Sequence, residues 1–69
     1  MNNKQLMCWR MGKNLKEASE NAWEVLYDIE KAVGRSKEEV MKDIEDFKYF
    51  SEVNVLSLGD IIYTIYKRI

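Results

Sequence analysis

Cys8, Met11, Leu15, Ala18, Ala22, Val25, Ile29 and Ala32 follow one another at alternating intervals of three and four residues. On a helix this spacing makes a narrow apolar seam of the kind that packs against another helix. The ladder speaks of packing rather than of chemistry. Its later part predicts a helix over residues 14–33. Asn14 and Glu17 have the spacing of a capping box, Gly12 lets the chain turn just upstream, and Gly34 stands where a left-handed C-terminal cap is wanted. Residues 1–12 are expected to form an arm, mobile or separately helical. Gly12 would cost about 1 kcal/mol inside a helix. Lys4, Arg10, Lys13 and Lys16 would also crowd positive charge at the positive end of a helix dipole. The continuation of the ladder through Met11 and Cys8 supports the alternative, an arm that extends the first helix.

Ser36 and Glu39 make a second capping box, after which Val40, Ile44 and Phe47 recur on one helical face. A second helix is therefore expected over 37–50. Ser57, with Asp60 three positions on and Leu56 and Ile61 as staple residues, predicts a third helix over 58–69 with Leu58, Ile61, Ile62, Ile65 and Ile69 inward. Between them Val53 and Val55 alternate with polar residues, a pattern compatible with a short extended connector. The expected fold is thus all-α, a small three-helix bundle forming one domain over 1–69. The strict seam from Cys8 to Ala32 also suits a homodimer through the first helix.

A chain of 69 residues buries a modest core. Its single cysteine cannot form an internal disulfide, and it fits a reducing compartment, so a cytoplasmic location is expected. Eleven basic residues balance twelve acidic ones, which removes the simple electrostatic reason to bind nucleic acid or anionic membrane. No apolar run approaches the roughly 18 residues of a membrane span.

Catalytic chemistry finds little support. The chain has no histidine, hence no imidazole base and no histidine-bound zinc. Cys8 near Arg10 reads better as a small apolar residue than as a nucleophile. The carboxylates read as solvated helix faces, and Gly12, Gly34 and Gly59 are isolated, so no phosphate loop, metal site or cofactor site is expected.

Aromatic residues give the best indication of a working surface. Trp9, Trp23, Tyr27 and Tyr66 are the expected contacts, since tryptophan and tyrosine bury large areas and keep a polar handle. The acidic stretch with Glu38, Glu39, Asp43 and Asp46 is a secondary surface. The function expected is non-enzymatic protein binding, by a small inhibitor or adaptor of viral or mobile-element type, through a helical surface bordered by aromatics. The alternative is a small dimeric DNA-binding regulator that uses the basic N-terminal arm and the C-terminal helix.

Overall fold

A computed structural model describes residues 3–69, so any expectation for Met1 and Asn2 lies outside the described residues. The chain runs β1 (Lys4–Gly12), α1 (Leu15–Ala32), α2 (Lys37–Glu45), β2 (Tyr49–Val55) and β3 (Ile61–Arg68). The strands form one antiparallel sheet in the order β1-β3-β2. The architecture is α+β, which overturns the expected helical bundle. The N-terminal arm is an edge strand, the segment 58–69 is the central strand rather than a third helix, and the expected second helix stops at Glu45.

The central strand explains the difference. Ile61, Ile62, Tyr63, Thr64, Ile65 and Tyr66 form an unbroken run of β-branched and aromatic residues. Such side chains lose rotamer freedom in a helix and pack well on a pleated sheet. A continuous apolar run satisfies helical and strand spacing alike, so spacing alone cannot separate the two. In place of a helix cap, Leu56 to Asp60 form a hairpin loop. Gly59 takes a φ of +89°, its N–H donates to the Leu56 carbonyl, and the Leu56 N–H donates to the Asp60 carbonyl.

The apolar ladder is not one helix. Cys8 and Met11 lie three residues apart on β1 and therefore point to opposite faces of the sheet. The remainder of the ladder is on α1, where Ala18, Ala22 and Leu26 are fully buried. The two alanines let α1 lie close over β1 and β3, and the Cys8 thiol donates to the Ala22 carbonyl at 3.4 Å. Val40 of α2, Tyr49 of β2 and Ile65 of β3 complete the core.

Local signals read from the sequence hold at the helix ends. The Asn14 side chain accepts from the Glu17 N–H at 2.8 Å, and Ser36 with Glu39 forms a complete reciprocal capping box. Gly34, at φ +88°, closes α1 with the Gly34 N–H on the Lys31 carbonyl and the Arg35 N–H on the Glu30 carbonyl. The same motif closes α2, with Phe47 in the place of the glycine. Its φ is 57°, and the Lys48 N–H reaches back to the Asp43 carbonyl. Gly12 has a different role. A Cβ there would stand 2.5 Å from the backbone nitrogen of Ala18, so the end of β1 packs directly against the first turn of α1.

These backbone features set two expectations for chemical denaturation. Phe47 is 76% exposed, so replacing it loses little packing while relieving a left-handed L-residue. Phe47→Gly should stabilise the fold by about 1 kcal/mol. Gly12→Ala should destabilise it by about 1–3 kcal/mol, because β1 must move away from α1.

Candidate functional site

The two helices lie on one side of the sheet and leave the other open. The open side carries Lys4, Leu6, Trp9 and Met11 from β1, Ile62, Thr64, Tyr66 and Arg68 from β3, and Phe50, Glu52 and Asn54 from β2. In β1 this arrangement depends on one extra residue. The register shifts between Leu6 and Cys8, so Met7 is unpaired and turns toward the core beside Cys8. Without that bulge, strict alternation would place Leu6 and Trp9 on opposite faces.

An antiparallel sheet covered on one side normally turns polar residues to solvent. Here the outward positions are largely apolar or aromatic. Leu6, Trp9 and Met11 remain 55%, 49% and 43% exposed, and they adjoin the half-buried Phe50, Ile62 and Tyr66. One end of the face is organised by charge. Phe50 and Tyr66 stack with ring centroids 5.5 Å apart. The Lys4 ammonium lies 4.3 Å from the Tyr66 centroid, and the Arg68 guanidinium lies 5.5 Å from that of Phe50. Glu52 holds this group together by accepting from Lys4 at 3.3 Å and from the Tyr66 hydroxyl at 3.2 Å.

The residues expected to contact a partner are divided between the two sides. Trp9 and Tyr66 stand on the open face. Trp23 lies beneath the sheet, where its indole N–H donates to the Tyr63 hydroxyl at 3.3 Å and its ring meets Tyr49 edge-on. Tyr27 borders a groove of about 390 Å³ between α1 and α2, with Lys37 over its ring at 5.8 Å. Lys31, Arg35 and Lys37 line that groove together with Glu24 and Asp28, three cations to two carboxylates, and Arg35 is already engaged by Glu30 and Asp43. Glu38 and Asp46 are exposed at α2, and Glu39 caps the helix, which holds its carboxyl below the usual carboxylate range.

Asp43 is buried and belongs to the frame. It pairs with Arg35, with Lys48 at 3.6 Å and with Lys67 at 3.9 Å. Glu30 is buried beside it and accepts from Arg35 at 2.8 Å and from the Tyr49 hydroxyl at 3.0 Å, with the Lys67 ammonium 3.6 Å away. The cluster joins α1, the interhelical turn, α2, β2 and β3. Desolvation and the Glu30 hydrogen bond push the Tyr49 phenol well above its ordinary value. Removing one partner from such a group strands a buried charge, at a cost of about 3–5 kcal/mol.

The basic surface expected for DNA does not form as a unit. Its C-terminal helix is β3, and Lys67 of that strand turns inward to Glu30 and Asp43. Lys13 and Lys16 lie at the opposite end of the strands from Arg68, because Lys4 pairs with Arg68 and Gly12 with Ile61. Cys8 is buried, and desolvation raises its thiol pKa against the opposing influence of Arg10.

Sequence spacing did not single out Leu6, Met11, Phe50 and Ile62 as surface residues. The available signal was the β-branched run of β3, which marks a central strand whose two faces both need cover. No family model, no curated protein and no solved structure matches the chain.

The buried cluster makes stability depend on acid. Desolvation opposes the Asp43 carboxylate, but the Arg35 hydrogen bond and the charges of Arg35, Lys48 and Lys67 outweigh it and hold its pKa below the ordinary value. Below about pH 4 the unfolded chain then binds more protons at Asp43 than the folded one. Its contribution is complete above that pH and lost as pH falls through the folded-state value. Thermal melts between pH 5 and pH 2 should show stability falling with acid, and falling less steeply in Asp43→Asn.

Proposed function

We propose that this protein is a non-enzymatic binding module that acts as an inhibitor or adaptor of a larger protein, and that its working surface is the open face of the sheet. One observation carries the reading. Leu6, Trp9 and Met11 stay exposed beside Phe50, Ile62 and Tyr66 on a face that no helix among the described residues covers. Contiguous apolar patches rimmed by polar groups mark interaction sites. Tryptophan, tyrosine, phenylalanine, methionine and arginine are also the residues enriched where proteins meet.

The rim suits such a role. Lys4, Arg68 and Glu52 border the aromatic pair and can order a partner's approach, while the apolar centre supplies affinity. The single thiol, buried and without a disulfide partner, suits a reducing, cytoplasmic setting. No helix among the described residues is long and apolar enough to cross a membrane.

A photo-crosslinking amino acid at Leu6 or Met11 should capture a partner from lysate of the source cells, whereas the same group at Glu38 should not. Trp9→Ala with Tyr66→Ala should abolish capture and leave the far-ultraviolet circular dichroism unchanged. Replacing Glu38 and Asp46 by Gln and Asn should have little effect. Capture that survives the aromatic double substitution in folded protein would refute the open-face reading.

A further inference from the structure

We infer that β2 is a pairing edge for a second copy of this chain. The two β2 strands would join antiparallel, with Val53 opposite Val53 of the second copy, in one six-stranded sheet built from two three-stranded ones. This surface differs from the open face, so the inference does not rest on the partner reading above.

The sheet has two edges, and only one is protected. β1 carries a bulge at Met7 and the charged Lys4 and Arg10, devices that discourage pairing with another strand. β2 keeps a continuous register with β3 from Tyr49 to Val55 and contains no proline. Its one charged residue, Glu52, is held on the open face by Lys4 and Tyr66.

β2 also lacks cover on the helical side. Val53 and Val55 point to the same side as Tyr63 and Ile65, yet they are 47% and 69% exposed because α1 packs on β1 and β3. A neighbouring β2 would bring Val53 an apolar partner on that side, Val53 of the second copy.

The backbone bonds determine which groups are free. The Arg68 N–H donates to the Lys48 carbonyl, and the Leu56 N–H donates to the Asp60 carbonyl. Even-numbered residues of this stretch therefore turn their backbone groups toward β3. Tyr49, Ser51, Val53 and Val55 turn theirs toward the free edge.

Self-complementary pairing of β2 selects the second copy and the register. An axis at Val53 places two edge-facing residues opposite each other and satisfies their N–H and C=O groups mutually. Ser51 then faces Val55 of the other copy, and Glu52 faces its Asn54. An axis at Glu52 would oppose two carboxylates directly, a destabilising pairing. With the axis perpendicular to the sheet, both helical layers lie on one side and the two open faces become continuous on the other.

The test is sedimentation equilibrium of the full chain from about 1 µM to about 1 mM, since association follows mass action. Wild type should reach the mass of a dimer. Val53→Pro removes an edge-facing N–H and leaves the β3 bonds intact, so it should stay folded by circular dichroism at half that mass. Should that variant fail to fold, Val53→Lys decides by placing two ammonium groups at the axis. In the dimer the amides of Ser51 and Val55 should be protected from hydrogen exchange, and in the monomeric variant they should exchange freely. A wild type that stays monomeric throughout would overturn the inference. So would a dimer that folded Val53→Pro or Val53→Lys leaves intact, one whose Ser51 and Val55 amides exchange freely, or growth into open-ended polymers.

Discussion

The chain builds a three-stranded sheet but covers only one of its faces, and the rest of the molecule depends on that imbalance. Ala18, Ala22 and Leu26 bring α1 tightly onto β1 and β3. Close approach is possible because the alanines present no side-chain bulk and because Gly12 yields at the point where strand and helix nearly touch. The central strand β3 is apolar on both sides, which suits a strand enclosed between two layers. Only one layer is supplied by the described residues. The exposure of Trp9 and Met11 above the sheet, and of Val53 and Val55 beyond the reach of α1, are two expressions of the same shortage.

Charge follows the layers. Ten of the twelve carboxylates fall between Glu17 and Asp46, in the helical half of the chain, while Lys4, Arg10, Lys67 and Arg68 belong to β1 and β3. The near-neutral total therefore conceals a polarised molecule. The layers meet electrostatically at Glu30 and Asp43, where Lys67 reaches inward from the sheet and Arg35 comes from the interhelical turn. A low-dielectric site strengthens these contacts and makes each partner costly to lose. The cluster gives the small core a specific geometry at the end where α2 gives way to β2.

What could be read from the sequence was local. Asn14, Gly34 and the Ser36–Glu39 box mark their helix ends because the bonds they make close within a few residues. The strands gave no comparable signal. β1 pairs with β3 across nearly the whole chain, Lys4 with Arg68, and no local pattern encodes that distance. The bulge at Met7 also breaks the period-two alternation that would have exposed β1 as a strand. The intervals that relate Cys8 and Met11 to the helical ladder hold for a geometry the segment does not adopt. Trp9 and Tyr66 were legible as aromatics without obvious local cover. Their presence on one face could not be read, because it follows from pairing Leu6 with Tyr66 and Trp9 with Thr64. Asp43 was misplaced for a related reason. Its charge resembles that of its exposed neighbours, and only the fold shows that three cations surround it.

The position of Cys8 turns the one sulfhydryl of the chain into a clock. Its sulfur lies under α1, bonded to the Ala22 carbonyl, with its ionisation suppressed by burial. Burial limits a reagent's access to it, and access opens when the helix lifts from the sheet, because the thiolate must form in water before it reacts. The alkylation rate of the native protein therefore responds to how often the two layers part. No probe need be introduced, and the separation is visible even when global unfolding is too rare to detect.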